Sequence, residues 1–142
     1  VKKAVKTPRS KAKKLAWDTF SIYIRTRDCM RFTGTPDKGK CVTCNKPYDF
    51  KKLQAGHFIQ GRGNAVLFDE RIVHSQCGAC NRNPPYGLGG NYVEYFVFME
   101  REYGRDKIEE FRALKHTEVI YKTHDFEALT ELYKQKTADL IK

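Results

Sequence analysis

The sequence predicts an α+β fold in which one short β-hairpin packs with several α-helices. Two Cys-x-x-Cys pairs, Cys41/Cys44 and Cys77/Cys80, enclose a segment of 32 residues. Pairs with this spacing can place four thiolates around one tetrahedral zinc ion. The enclosed segment has strand-like stretches separated by glycines, and the segments outside it have the apolar periodicity of helices. We therefore predict a zinc-clamped hairpin core with helices packed on it.

The first part of the chain is strongly basic. Residues 1–14 contain seven Lys or Arg and no acidic residue, and Pro8 interrupts them. This composition predicts a basic flexible arm over 1–14, which either contacts phosphates or is a solvated terminus. Residues 15–142 are predicted to form a single domain, with a core over 41–104 and C-terminal helices over 105–142.

The elements before and between the cysteine pairs follow from local patterns. Apolar residues from Leu15 to about Asp28 predict a helix, and a turn-rich loop over 33–39 leads to Cys41. Lys52–Gln60 and Ile72–Gln76 are predicted as the two strands, with a turn region over 61–64. Gly56 within the first strand indicates a bulge or the close approach of another group, for which a DNA phosphate is one candidate.

Three further helices are predicted after the second cysteine pair. Asn91 is a candidate N-cap for a helix over Tyr92–Tyr103, which Gly104 ends. A second amphipathic helix spans Arg105–His116, and a third begins near Thr123 or Asp125. These apolar C-terminal helices either form part of the monomer core or provide the interface of a homodimer.

A four-cysteine zinc site is structural, because thiolates at Cys41, Cys44, Cys77 and Cys80 fill its coordination sphere. Any chemistry needs other groups. His57 is the candidate base for activating water in phosphodiester hydrolysis, or a ligand of a catalytic ion. The amide oxygen of Asn81 is a hard ligand suited to Mg²⁺ or Mn²⁺. His74 either faces the same site, as a metal ligand or a phosphate contact, or is hydrogen-bonded within the hairpin.

The charge balance favours a polyanionic partner. The net charge is +10 and the isoelectric point is near 9.4, which suits nucleic acid. No apolar stretch is long enough to predict a membrane span. The paired cysteines indicate metal ligands in a reducing compartment, and Cys29 is predicted to be a small buried residue. The candidate DNA-binding residues are Lys11, Lys13, Lys14, Arg25, Arg27, Arg62 and Arg82.

Several separate blocks of the sequence resemble the NinG (Rap) family of lambdoid phage recombination proteins, within the HNH or ββα-metal endonucleases. The resemblance runs from about residue 18 to residue 104. The blocks are Phe20-Ser21-x-Tyr23-Ile24-Arg25-x-Arg27-Asp28, Cys41-x-Thr43-Cys44, Ala55-Gly56-His57-Phe58, Phe68-Asp69-Glu70-Arg71, His74-x-Gln76-Cys77-x-x-Cys80-Asn81, Gly90-Asn91-x-x-Glu94-Tyr95 and Tyr103-Gly104.

This resemblance implies a metal-dependent endonuclease that cleaves branched DNA, of the Holliday-junction or D-loop type, during phage recombination in the cytoplasm of the bacterial host. It also implies structural Zn²⁺ and catalytic Mg²⁺ or Mn²⁺. HNH enzymes commonly carry Asp or His where this chain has Gly56, and an asparagine is expected where it has Ile72. These departures favour the alternative of a non-catalytic, zinc-stabilised DNA-binding accessory protein. Symmetric cutting of a junction would suit a homodimer.

Overall fold

A long N-terminal helix is the scaffold of the fold in this computed structural model, which describes residues 7–61 and 63–142. Helix α1 spans Pro8–Thr33. The hydroxyl of Thr7 accepts a hydrogen bond of 3.1 Å from the Ser10 amide and caps its start, and Pro8 occupies the first turn. Gly34, with a φ of 76°, ends the helix in the left-handed conformation.

The start of α1 corrects the predicted flexible arm over 1–14. Residues 8–14 are helical, because lysine and arginine are good helix formers and this end is anchored on the C-terminal part of the chain. Arg9 donates to the Tyr121 carbonyl at 2.8 Å, and its guanidinium lies 5.4 Å from the Phe126 ring centre. Residues 1–6 of the predicted arm lie outside the described residues.

Two short antiparallel hairpins follow α1. The first, β1 (Lys38–Lys40) paired with β2 (Pro47–Asp49), flanks the first cysteine pair and was missing from the sequence prediction. The second, β3 (Leu53–His57) paired with β4 (Val73–Cys77), confirms the predicted hairpin, although β3 is shorter than predicted. Gly56 pairs with His74 in its register. The connection between its strands includes a short helix, α2 (Asn64–Leu67), rather than a turn alone.

Of the four remaining helices, the last three follow the sequence prediction closely, whereas the first was not predicted. Helix α3 spans Gly78–Asn81, α4 spans Tyr92–Tyr103 and α5 spans Arg105–Ala113, continued by a 3-10 turn over Leu114–His116. Helix α6 spans Thr123–Leu140, and its Asp125 carboxylate accepts a 2.8 Å hydrogen bond from the Lys122 amide. Within the described residues, no helix is both long enough and apolar enough to cross a membrane.

One apolar core joins the hairpin to the helices. The Phe20 and Tyr133 rings of α1 and α6 meet with centres 4.8 Å apart. The apolar residues of α5 and α6 are buried in this same core (Ile108, Phe111, Phe126 and Tyr133). The described residues thus form a mixed α+β fold of six α-helices and two small sheets, in which these C-terminal side chains pack within the monomer.

A buried ion pair fixes the hairpin on α1. The Asp28 carboxylate accepts hydrogen bonds from the Ser75 amide at 2.8 Å and from the Arg27 Nε at 2.9 Å. The same guanidinium donates to the carbonyls of Glu70 and Val73, each at 2.8 Å. Arg27 was predicted to bind DNA. In the structure its donors bind the Asp28 carboxylate and two backbone carbonyls around β4.

Candidate functional site

Four cysteine sulfurs converge between the two hairpins. The Sγ atoms of Cys41, Cys44, Cys77 and Cys80 all lie within 4.8 Å of one another, and those of Cys44 and Cys77 are 3.9 Å apart. A tetrahedral zinc ion with Zn–S bonds of about 2.3 Å requires sulfurs about 3.8 Å apart. The cluster therefore fits zinc, and four sulfur ligands leave no open position for a substrate.

Polar groups support this cluster from outside. The Thr43 hydroxyl lies 3.2 Å from the Cys41 sulfur, and the Asn91 amide donates to the Cys80 sulfur at 3.5 Å. Asn91 was predicted as the N-cap of α4. It does precede that helix, but it has a φ of 51° and its side chain makes no capping hydrogen bond. Its amide faces the thiolate instead, as expected for a group that orients a metal ligand.

A cleft of about 570 Å³ includes Asn81, the residue that follows Cys80, in its lining. One wall comes from the first turns of α1, where Ser10, Lys13, Lys14 and Trp17 recur at helical spacing. The same cleft is lined by the two residues predicted to do chemistry, His57 at the end of β3 and Asn81 at the end of α3. The fold therefore brings the candidate base, the candidate ion ligand and two lysines to one surface.

The ring of His57 is held in one tautomer. Its Nε2 lies 3.2 Å from the Leu67 carbonyl of α2, and since a carbonyl can only accept, Nε2 carries the hydrogen. Nδ1 is therefore the basic nitrogen. The indole of Trp17 stacks on the imidazole with ring centres 5.0 Å apart. Burial lowers the pKa of His57 below its ordinary 6.5, although the Leu67 hydrogen bond opposes the shift.

The Leu67 carbonyl orients His57, and position 72, where an asparagine was expected, holds an apolar residue. Ile72 is fully buried in the core, and its carbonyl accepts from the Phe58 amide at 2.8 Å. Helix α2 in turn is anchored by Asn64, whose amide donates to the Val119 carbonyl at 2.8 Å. The histidine is thus oriented by backbone rather than by an asparagine.

Asn81 is fixed by its neighbours on both sides. It directly follows Cys80 of the cysteine cluster in α3, so the cluster sets the position of its backbone. Its amide nitrogen donates to the Gln54 side-chain oxygen at 2.9 Å. This leaves Oδ1 as the free acceptor, and no described residue donates to it. The side chain fits the ligand chemistry of a hard divalent ion.

His74 does not reach the cleft, which corrects its expected place in the site. Its side chain is 1% exposed, and Nδ1 lies 3.2 Å from the Tyr95 hydroxyl, which itself donates to the Gly56 carbonyl at 2.7 Å. The Phe98 ring packs edge-on at 4.8 Å between centres. Burial, followed by the charges of Arg27 and Arg31, lowers the pKa of His74 well below 6.5. This histidine belongs to the core.

The buried His74 predicts acid sensitivity of the fold. The folded state keeps the ring neutral, whereas the unfolded chain takes up a proton as the pH falls through about 6.5. The free energy of unfolding should therefore fall below that pH, by up to about 1.4 kcal/mol per pH unit. Urea unfolding between pH 7.5 and 5.5 measures this slope. The variant His74→Gln should have a smaller slope than the wild type, and equal slopes would contradict the assignment.

Comparisons with known proteins identify relatives of this chain. The family model described as bacteriophage lambda NinG protein matches residues 1–142. The chain belongs to the NinG family. It is 28% identical to Protein ninG of Escherichia phage 933W and 27% identical to Protein ninG of Escherichia phage lambda, each over 99% of its length. No solved structure matches the chain.

This NinG-family chain spans less than two thirds of its curated relatives, covering 63% of the phage 933W protein and 62% of the phage lambda protein. The match includes every residue of the zinc cluster and of the cleft.

The predicted DNA-binding residues of the NinG-family chain are spread over different environments. Lys13 and Lys14 line the cleft, whereas Lys11 is exposed on the same helix but does not line it. Arg25 is half-buried, with its guanidinium 4.5 Å from the Phe50 ring centre. Arg82 is exposed just after α3. Arg62 lies outside the described residues.

Sequence reasoning missed the residues that hold the site in place. Gln54 and the Leu67 carbonyl orient Asn81 and His57, and Trp17 also lines the cleft. No sequence pattern predicts which backbone carbonyl will orient a side chain. Gln54 and Gln76 could have been recognised as site residues, because they pair across the predicted hairpin close to Gly56. Gly56 itself is approached by Gln76 and Asn81 within the protein, which corrects the expectation of a DNA phosphate there.

Proposed function

We propose that this protein is a metal-dependent DNA endonuclease of the HNH type that cleaves branched DNA in phage recombination. The observation that carries the proposal is the shared cleft of His57 and Asn81, in which Nδ1 of the histidine is left basic by the bond from Nε2 to Leu67. Lys13 and Lys14, which line the same cleft, suit a phosphate backbone. The proposal concerns the part of the NinG protein that this chain spans.

His57 would act as the general base. Its Nδ1 takes a proton from a water molecule, whose oxygen attacks the phosphorus while the bond to the leaving sugar oxygen breaks. The lowered pKa keeps the imidazole neutral at physiological pH, which is the form that accepts a proton. Trp17 and Leu67 restrict the ring to one orientation, so the base is positioned before DNA arrives.

Asn81 would hold the catalytic ion through Oδ1. A bound Mg²⁺ or Mn²⁺ supplies Lewis-acid stabilisation of the charge that develops on the phosphate and on the leaving oxygen. The described residues lining the cleft include no carboxylate. Mg²⁺ normally retains several waters and uses substrate phosphates as ligands, so a site based on amide oxygen suits an ion that DNA itself helps to hold.

The cleft lysines predict a specific effect on DNA binding. Lys13→Ala should weaken binding and reduce the slope of log affinity against log salt concentration by about 0.9, because one phosphate contact is lost. Lys11→Ala is the matched control, since it removes the same charge from the same helix outside the cleft. Fluorescence anisotropy at several salt concentrations measures both slopes. Equal slopes for the two variants would contradict a DNA path through the cleft.

Branched DNA is the proposed substrate class, and a labelled four-way junction tested against a linear duplex of the same sequence checks it. Selective cutting of the junction is expected, and equal cutting of both substrates would reject the branched specificity. A C2 dimer would suit paired cuts. Light scattering that gives a mass near the monomer value of 16.5 kDa would contradict the dimer. We place this activity in the cytoplasm of the bacterial host.

A second candidate is a non-catalytic, zinc-stabilised DNA-binding accessory protein. The lack of a carboxylate among the described cleft residues, together with glycine at position 56, favours it. Such a protein would bind the junction through the same lysines but would not cut it with any divalent ion. Cleavage therefore separates the two candidates, whereas binding does not.

A further inference from the structure

A buried amide oxygen next to the cleft has no hydrogen-bond donor. Gln76 on β4 is fully buried, and its Nε2 donates to the Gly90 carbonyl at 2.7 Å and to the Thr43 hydroxyl at 3.1 Å. Because the carbonyl can only accept, these contacts fix which end of the amide is nitrogen. The other end, Oε1, finds no donor among residues 7–61 and 63–142. Buried polar atoms are rarely unpaired in folded proteins, so we expect this oxygen to bind a group from outside the described residues.

The unpaired oxygen occupies the space that a side chain at position 56 would fill. A Cβ placed on Gly56 would lie 1.8 Å from Gln76 Oε1 and 2.9 Å from Asn81 Oδ1. Gly56 is not among the glycines with a positive φ, so its backbone would accept other residues. Space alone therefore requires glycine, because two oxygens from different elements lie within 2.9 Å of this Cβ position.

Both oxygens are acceptors, and no described residue donates to either of them. Gln54 binds the nitrogen end of Asn81, just as Gly90 binds the nitrogen end of Gln76. Two amide oxygens that lie within 2.9 Å of one point, with no described donor to either, form an arrangement suited to a hard cation. We infer that Gln76 Oε1 is a second ligand, beside Asn81 Oδ1, of a divalent cation of the Mg²⁺ class. This inference deepens the proposed function, on which it rests.

Mn²⁺ binding to the zinc-loaded protein tests this ligand without relying on activity. Free Mn²⁺ is counted by electron paramagnetic resonance for wild type and for Gln76→Met, which keeps the volume and removes the oxygen. Binding should weaken by at least about tenfold, because removal of groups that merely support metal ligands already has an effect of that size. Gln60→Met is the matched control at the cleft and should bind Mn²⁺ like wild type.

A rescue variant separates ligation from structural support. Gly56→Asp alone should disrupt the site, whereas Gly56→Asp combined with Gln76→Ala places a carboxylate in the vacated space and should restore Mn²⁺ binding. Restoration would support the ligand role, since an aspartate at position 56 does not replace the amide bonds to Gly90 and Thr43. Failure of the folded double variant to bind more Mn²⁺ than Gln76→Ala would overturn it.

The same titration distinguishes failure of the Gln76 ligand assignment from failure of the proposed nuclease activity. Unchanged Mn²⁺ binding by Gln76→Met overturns the ligand assignment even if the wild type cleaves DNA. Gln76-dependent Mn²⁺ binding without cleavage supports the cation site and rejects the nuclease. Absence of Mn²⁺ binding by wild type overturns the ligand assignment. Should Gln76→Met fail to fold, Asn81→Ala and the double variant provide the comparison.

Discussion

The variant His57→Ala should lose cleavage of a four-way junction by about 10²- to 10⁴-fold, the contribution typical of a positioned general base. The cause is local. The imidazole is half-buried between Trp17 and the Leu67 carbonyl, and alanine leaves no group at that point of the cleft that accepts a proton. Single-turnover cleavage rates at saturating protein measure the loss without interference from substrate affinity.

Two controls separate the chemistry of His57 from its packing. The zinc content and far-ultraviolet circular dichroism of His57→Ala should match those of wild type, because the histidine does not contact the cysteine cluster. His124→Ala removes an exposed histidine near the start of α6 and should leave the rate unchanged. A His57→Ala protein that cleaves at the wild-type rate would exclude this residue as the base or as an essential ion ligand.

Removal of zinc should unfold the hairpin region and abolish cleavage with it. The apparent binding free energy of structural zinc is about 10–16 kcal/mol in small zinc domains, as large as the whole stability of a typical domain. The cluster joins the segment between β1 and β2 to β4 and α3, and α3 carries Asn81. Cys77→Ser or treatment with a chelator should therefore lower the melting temperature sharply and displace the candidate ion ligand.

Cys29 provides the matched control for zinc removal. It is a fully buried cysteine outside the cluster, and burial raises its pKa to about 11, so it remains a thiol. Cys29→Ala should keep one zinc per chain, as measured by elemental analysis, and should lose far less thermal stability than Cys77→Ser. A chelated protein that melts like the zinc-loaded one would contradict the structural role of the cluster.

The spacing of particular residues made much of the fold predictable. The four cysteines, the β3–β4 pairing and the bounds of α4 follow from patterns that local physics dictates, namely metal-ligand spacing, alternation and helical periodicity. His57 and Asn81 were also predicted from the sequence as site residues, and both line the cleft. His57 directly follows Gly56 and Asn81 directly follows Cys80, and these neighbours restrict the path of the backbone.

Other features depend on tertiary contacts that no local pattern contains. The β1–β2 strands are three residues each, too short for alternation to be recognised. The sequence predicts that His74 and Arg27 belong to the functional site. In the structure His74 contacts Tyr95 on α4, and Arg27 donates to backbone carbonyls near β4. Residues 8–14 become helical because α1 docks on the C-terminal part of the chain, a contact between residues more than 100 positions apart.

Hydrolysis of DNA in the cleft of His57 and Asn81 is the activity that we propose, and one measurement tests it most directly. Zinc-loaded wild-type protein is mixed with a labelled four-way junction, with Mn²⁺ or Mg²⁺ and without added divalent ion, and the products are resolved over time. Strand cleavage that requires the added ion is the predicted result. Tight binding of the junction with no cleavage in either ion would contradict the nuclease and leave a zinc-stabilised DNA-binding protein.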